Sequence, residues 1–394
     1  MNVLIVDQFG EIAGAQRCLL DLLAGWPVNA GRVVLAAPAR GRLLATAASM
    51  GIDTFGLSCG EYTSGRKSIW DVLRFCLDQP LQRRILRGII ERNSIDTVYV
   101  NGPRVLAAAA AAAKGRCRVV FHAHNFLTRR YELALVRDAV SGSHASVIAC
   151  CDNVAGPLRR TVRCRVHVIV NGVPEVRWRP RSTVRGSAPW RLGLVGRISP
   201  EKGHIELLEA ARTLAGSVAI IIAGTSMFGT GGYEREVRRK AGRLDVRFAG
   251  WQNDVASVLH ALDLLVVPSI AEPGLPRVVL EAFSAGVPVV AFPTGGIAEA
   301  VRHGETGFLA AEPTPAALAQ TLRAVMSMPA AELQRVTRNA RAAWEAQWNV
   351  DRWRRDVLAV LRSTNTGPLP SPREPASARG ATVAPSEPPV SAAG

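Results

Sequence analysis

Acidic residues are scarce in this chain: 32 Asp+Glu stand against 48 Lys+Arg in 394 residues, for a net charge of +16. That balance disfavours cationic partners and points towards anionic ones, whether nucleic acid, a membrane surface or a phosphorylated ligand. Cysteine pairing signals are missing too. The seven cysteines (18, 59, 76, 117, 150, 151 and 164) are odd in number and contain no C-x-x-C, which argues against a disulfide framework or a zinc site and for free thiols in a reducing compartment. The opening MNVLIVDQFG has no basic stretch followed by a long apolar one, so it reads as a first strand rather than a signal peptide. The alanine-rich run at 106–113 falls far short of the ~20 apolar residues that cross a bilayer. Aromatics make up 6% of the chain and show no aromatic-basic RNA motif or C₂H₂ pattern, so no nucleic-acid partner is expected despite the charge.

Apolar residues are plentiful, at 48%, enough to bury a core. Short β-rich runs at 3–6, 33–37, 97–100, 119–122, 147–150 and 166–170 alternate with helical patterns at 15–23, 43–50, 71–91, 106–113 and 153–160. Unbroken apolar strands separated by helices predict an α/β fold with parallel sheet covered on both faces. The stretch 174–189 is rich in Pro and Arg without a period and reads as a linker. The alternation then restarts at 192–195, 218–223, 246–248, 264–267 and 287–292. The expected organisation is therefore a domain at 1–173, the linker, a second domain at 190–348, a C-terminal helix at 349–363 and a Pro/Ser/Ala-rich disordered tail at 364–394. Trp344, Trp348 and Trp353 read as packing residues. Excess charge is concentrated early: residues 1–180 hold 24 basic and 13 acidic side chains, residues 181–363 hold 22 and 17.

In open parallel sheets ligands bind beyond the carboxyl ends of the strands, so the residues that follow each strand come first. After 192–195 come Gly196, Arg197, then Pro200-Glu201-Lys202-Gly203 and a helical pattern. A guanidinium, an ammonium and free helix N–H groups converging after a tight turn suit a diphosphate. After 264–267 the loop contains Glu272, Gly274, Leu275 and Pro276 and leads into a helix at 278–285, with Glu281 expected in its first turn. Turn residues before a helix start again present N–H groups to an anion, and two carboxylates beside a cationic site suit sugar or ribose hydroxyls. The strand at 119–122 runs into His122-Ala123-His124-Asn125. Histidines at i and i+2 on a strand point the same way, but no third metal ligand is evident. The pattern at 71–91 carries Arg74, Arg83, Arg84 and Arg87, preceded by Arg66 and Lys67, with apolar residues interleaved. It reads as a membrane-surface contact, an anionic-acceptor site, or a packing helix with a solvated basic face.

Taken together, VGRISPEKGHIELLEA, VPSIAEPGLPRVVLEAFSAGVPVVA and TGGIAEAV resemble the nucleotide-sugar-dependent glycosyltransferases of family 4, group 1 type. These are retaining enzymes of GT-B architecture, with two tandem Rossmann-like doubly wound parallel-sheet domains facing across a cleft. The resemblance covers 2–361, is strongest at 192–309 and is absent from the tail; it implies an acceptor-binding first domain, a nucleotide-sugar-binding second domain and a C-terminal helix at 349–363 that crosses back onto the first domain, which periodicity does not show. It implies that Gly196, Arg197 and Lys202 hold the donor diphosphate and that Glu281 contacts the ribose. Glu272 corresponds to the glutamate near the transferred sugar, and Gly274, Leu275 and Pro276 belong to the donor loop. The spacing here is E-x8-E where the family has E-x7-E, and Gly274-Leu275 replaces Phe-Gly. Gly14 matches the family's N-terminal glycine loop, whose first paired glycine is Ala13 here. His124 matches a histidine near the donor sugar, with His122 as a secondary candidate. The nucleobase is expected at the backbone around Trp251. The implied activity is transfer of a sugar from a nucleoside-diphosphate donor to a saccharide or lipid-linked acceptor, with no metal and no cofactor. A cytoplasmic enzyme, peripheral on the inner membrane face through its basic first half, follows as an expectation. A nucleotide-sugar epimerase and a non-catalytic GT-B scaffold are the competing readings.

Overall fold

The computed structural model describes residues 1–58, 69–127, 129–141, 144–179, 189–227, 229–272 and 274–363. Arg66, Lys67, Cys59, most of the expected linker and the tail lie outside the described residues. The first half runs β1 (Val3–Asp7), α1 (Gly14–Ala24), β2 (Val33–Pro38), α2 (Leu43–Ser49), β3 (Asp53–Leu57), α3 (Ile69–Arg92), β4 (Thr97–Asn101), α4 (Leu106–Ala113), β5 (Arg118–Ala123), α5 (Arg130–Ala139), β6 (Ser146–Ala149), α6 (Asp152–Thr161) and β7 (Arg165–Val168). The second runs β8 (Trp190–Val195), α7 (His204–Arg212), β9 (Val218–Ala223), α8 (Gly231–Ala241), β10 (Val246–Gly250), α9 (Val255–Ala261), β11 (Leu264–Val267), α10 (Arg277–Ala285), β12 (Val289–Ala291), α11 (Ile297–Ala300), β13 (Phe308–Leu309), α12 (Pro315–Met326), α13 (Ala330–Ala343) and α14 (Val350–Arg362).

The strands form two parallel sheets, ordered β3-β2-β1-β4-β5-β6-β7 and β10-β9-β8-β11-β12-β13. Strand order reverses between β1 and β4 in the first sheet and between β8 and β11 in the second, which opens a crevice at each point. Central strands such as β1 and β4 are buried along their whole length, as an apolar strand covered on both faces must be. One face of the first sheet packs Leu4, Val98 and Phe121 with Leu86, Ala109 and Leu158 of its helices. Its other face packs Ile5 and Tyr99 with Leu19 and Leu22 of α1 and with Trp353, Val357 and Leu361 of α14. The last helix thus crosses back and completes the first half's core, although it follows the second half in sequence.

Both crossings meet at one point. Val173, leaving the first half, pairs with Asn349: the Val173 N–H donates to Trp348 O at 3.0 Å and the Val350 N–H donates to Val173 O at 3.1 Å. Asn349 also caps α14, its side chain accepting from the Arg352 N–H at 2.9 Å. Trp344 and Trp348 pack against α10 in the second half's core, so the three tryptophans are indeed packing residues.

Two strands are absent from the sequence expectation. The edge strand β3 reads DTFGL, with only Leu57 fully buried, and β13 is two residues long, so neither presents an apolar run. A further correction concerns Glu281: α10 begins at Arg277, which makes Glu281 its fifth residue, beyond the first turn where the helix dipole acts.

Candidate functional site

The carboxyl ends of the two sheets face each other across a cleft of about 1090 Å³. On the second-half side, β8 ends at Val195 and the chain turns at Gly196 into Arg197 and the Pro200–Lys202 turn. Gly203 closes that turn with φ +70°, and a Cβ there would lie 1.7 Å from Pro268 O, so only glycine lets the 196–203 turn nest on the 268–276 loop. The Ile270 N–H donates to Glu201 O at 3.0 Å and secures the same contact. Lys202 consequently points at Glu272 and donates from Nζ to its Oε2. Arg197 donates to Glu201 Oε1 at 3.0 Å. Both cations line the cleft, as do Gly196, Glu272, Gly274, Leu275 and Pro276.

Glu281, one turn into α10, also reaches the cleft and lies 3.4 Å from Arg277. Arg277 makes the link to the first half: its guanidinium is 2.8 Å from Asp21 of α1 and donates to Cys18 Sγ at 3.2 Å and Gly172 O at 3.3 Å. Burial disfavours its charge, but Cys18, Glu281 and Asp21 more than offset that and raise its pKa above the ordinary arginine value. A second link is Trp251, beyond β10, with the guanidiniums of Arg17 and Arg42 at 5.6 and 5.3 Å from its ring. A third is Glu299 of α11, whose carboxylate accepts from the Asp152 and Asn153 N–H groups at 3.1 and 2.9 Å, at the N-terminal end of α6 where an anion is favoured.

On the first-half side, α1 begins at Gly14 and opens on the cleft; a Cβ at Gly14 would meet nothing within 4 Å, so a ligand can approach the helix terminus closely. His124 follows β5 and lines the cleft. Burial lowers its pKa to about 4, so the ring is neutral at pH 7. His122 takes no part in the cleft wall. It is fully buried, hydrogen-bonded through Nδ1 to the Tyr99 hydroxyl, and its ring packs 3.9 Å from that of His124. Among the described residues no group of three His, Cys, Asp or Glu is gathered to hold a metal ion.

The sequence reading missed the polar residues beneath His124. Asp7, Asn101 and His122 are register partners across β1, β4 and β5. Asn101 Nδ2 donates to Asp7 Oδ2 at 2.5 Å, and its Oδ1 faces His124 Nε2 at 2.7 Å. Burial raises the Asp7 pKa to about 6, even though hydrogen bonds from Asn101, Phe9, Gln16 and Gln8 pull it down. The available signal was a polar residue ending an unbroken apolar strand, as in VLIVD and TVYVN. Arg277, Asp21, Arg17 and Arg42 carried no such signal, because their partners come from the other half of the chain.

Residues 12–177 match the family described as Glycosyltransferase Family 4, and residues 189–328 match that described as Glycosyl transferases group 1. The glycogen synthase of Mycobacterium tuberculosis (strain ATCC 25618 / H37Rv) is 35% identical over 184 residues, 45% of this chain and 43% of that protein. The putative colanic acid biosynthesis glycosyltransferase WcaL of Escherichia coli (strain K12) is 28% identical over 222 residues, 53% of this chain and 54% of that protein. The chain spans about half the length of the curated relatives it matches. Among solved structures, Anabaena HepE in complex with UDP and glucose superposes with a TM-score of 0.77 at 25% identity, covering 92% of this chain and 100% of that one. WaaG, a glycosyltransferase involved in lipopolysaccharide biosynthesis, shares the fold with a TM-score of 0.67 at 17% identity, covering 92% and 100%.

Proposed function

This chain belongs to the group 1, family 4 glycosyltransferases and has their GT-B fold; from that premise we propose that it moves a sugar from a nucleoside-diphosphate donor to a saccharide or lipid-linked acceptor in glycan biosynthesis, with retention of anomeric configuration. The observation that carries this is the convergence of Arg197, Lys202, Glu272 and Glu281 on one cleft wall with His124 on the cleft too.

In the free enzyme each cation already faces a carboxylate, Arg197 with Glu201 and Lys202 with Glu272. A donor diphosphate would take over both cations, leaving Glu272 to accept hydroxyls of the transferred sugar and Glu281 those of the ribose. As the glycosidic bond breaks, negative charge grows on the leaving diphosphate. Arg197, Lys202 and the first-turn N–H groups of α10 are preorganised to stabilise it, which supports a reaction without a metal or a cofactor. Positive charge grows on the sugar, as in glycoside cleavage. No carboxylate is assigned as a covalent nucleophile, and attack from the leaving-group face accounts for retention. The nucleobase is assigned to the backbone around Trp251, which lines the cleft beyond β10, and UDP is the first nucleotide to try because HepE was solved with it.

Titration calorimetry with UDP, GDP and ADP, on wild type and on the Arg197→Ala/Lys202→Ala double variant, tests this. One nucleotide should bind the wild type and lose about 100-fold or more in the variant, as expected when two charge-assisted contacts are removed. Binding of none of them would favour a non-catalytic scaffold.

The acceptor side supports a lipid-linked substrate. Helix α3 carries exposed Trp70 (77%), Leu77 (68%) and Leu73 (45%) beside exposed Arg74, Arg83, Arg84 and Arg87, and its Val72 and Phe75 reach the cleft. Apolar and cationic side chains on one helix suit the surface of an anionic membrane. No helix among the described residues is long and apolar enough to cross a membrane. Flotation with vesicles that contain anionic lipid, compared with neutral vesicles, tests the surface contact; equal recovery in both removes it.

A further inference from the structure

Three polar side chains lie almost without solvent exposure at the floor of the cleft: Asp7 (0%), and Gln16 (1%) and Asn101 (2%), which line it. Burying polar groups is unfavourable unless each finds partners, and these do, in one chain whose polarity can be worked out from its far end. The Ala13 N–H donates to Gln16 Oε1 at 3.2 Å. A backbone N–H has no alternative role, so the Gln16 oxygen faces it and Gln16 Nε2 faces Asp7, donating to Oδ1 at 2.9 Å. The Phe9 N–H donates to the same oxygen at 2.8 Å. Asp7, already receiving two donors, accepts a third from Asn101 Nδ2 through Oδ2. That orientation turns Asn101 Oδ1, which can only accept, towards His124 Nε2 at 2.7 Å. His124 must therefore donate from Nε2, and Nδ1 is left as its lone-pair nitrogen. The His122 ring packs against His124 at 3.9 Å and limits its rotation.

We propose that Asn101, oriented by Asp7 and Gln16, is a positioning residue that holds His124 as its Nε2–H tautomer, so that Nδ1 accepts a hydroxyl of the sugar bound in the cleft. This rests on the transferase function proposed above and adds to it the residue that decides what His124 can do. A histidine held in the other tautomer would present an N–H to the sugar and reverse the direction of that hydrogen bond. The function requires an anchored ring, because a misplaced contact to the reacting sugar forfeits much of the rate.

The test uses the full-length chain labelled with ¹⁵N-histidine, the His124 signal being assigned by its loss in His124→Gln. Wild type should show the Nε2–H tautomer. Asn101→Ala should admit the Nδ1–H form and lower turnover of a UDP-sugar, or of the donor whose nucleotide binds, by about 10–100-fold. Nucleotide affinity should stay within about twofold, because the diphosphate contacts lie on the other wall. The Asp7→Asn/Asn101→Asp double variant exchanges amide and carboxylate between the two strands. The amide now on β1 would accept from the Phe9 N–H and Gln16 and donate to the carboxylate now on β4, which in turn accepts from His124. The double variant should therefore recover the Nε2–H form that Asp7→Asn alone does not hold. An Asn101→Ala enzyme that keeps the tautomer, or that changes it without losing turnover, overturns the proposal. A wild type that binds no nucleoside diphosphate defeats the transferase function instead, and the tautomer comparison still decides whether Asn101 orients His124.

Discussion

Replacing Arg277 by Met exposes how the two halves are joined. Its guanidinium side chain is 10% exposed and sits between Asp21 (21%) and Glu281 (13%), carboxylates of different halves. Removing one member of a buried ionic cluster leaves uncompensated charge and costs about 3–5 kcal/mol. Methionine has a similar length and fills the space, so most of that loss is electrostatic. Its pH dependence follows from Asp21. Burial already raises the Asp21 pKa above its ordinary value, while Arg277, Arg354 and Arg17 pull it down; without Arg277 it rises further. A carboxyl whose folded pKa lies above its unfolded value makes the folded protein bind more protons, so stability falls as pH climbs through that window. Arg277→Met should therefore lie close to wild type near pH 4, and the gap should widen as pH rises through Asp21's raised folded pKa. Urea unfolding followed by tryptophan fluorescence at several pH values measures it, with Arg277→Lys, which keeps a charge between the carboxylates, expected to show a smaller and flatter loss. A gap below about 1 kcal/mol at pH 8, or one that does not change with pH, would refute the reasoning.

Trp353→Ala removes a side chain that is 2% exposed and packed on the first sheet; it should cost about 3–5 kcal/mol in urea unfolding, although residue 353 follows the second half in sequence. Asp7 has a folded pKa of about 6 against an ordinary 3.8, so the stability due to its protonated form is complete below about pH 4 and lost by about pH 6–7. Relative to Asp7→Asn, wild type should weaken by about 3 kcal/mol across that range, and a parallel pair of pH–stability curves would contradict it. Gly203→Ala should lose about 1 kcal/mol from the left-handed backbone alone and more from displacing Pro268, whose oxygen a Cβ would approach to 1.7 Å. Because the same shift moves Lys202, calorimetry should show weaker nucleoside-diphosphate binding in that variant as well.

Much of the architecture was legible because it depends on local regularity. Central strands such as β1 and β4 carry uninterrupted apolar runs, VLIV and VYV, since both their faces are covered, and helical patterns between them imply parallel crossovers. The edge strand β3 escaped because a strand with one open edge has little apolar content to display. In the site, Arg197 and Lys202 were visible because turn glycines and a helix start lie beside them in sequence. The same holds for Glu272 and Glu281 in their loop and helix. The placement of Glu281 within α10 differs from the expectation, since helix boundaries shift by a residue or two with the cap, and His122 lies outside the cleft wall because it is buried against Tyr99.

By itself, then, the sequence determined the α/β class, the two successive strand–helix alternations and the short segments that carry the candidate donor-site side chains. These depend on interactions between residues close in the chain. The tertiary structure decided everything that joins distant segments. It set the return of α14 to the first sheet, the bridging of the halves by Arg277, and the clasp of Trp251 by Arg17 and Arg42. It gave His122 and His124, whose rings pack against each other, different surroundings, with one hydrogen-bonded to Tyr99 and the other on the cleft. It also brought Asp7 into register with Asn101, 94 residues later. Pairings of that kind are set by which strands lie side by side and which loops nest, and composition and periodicity carry no record of them.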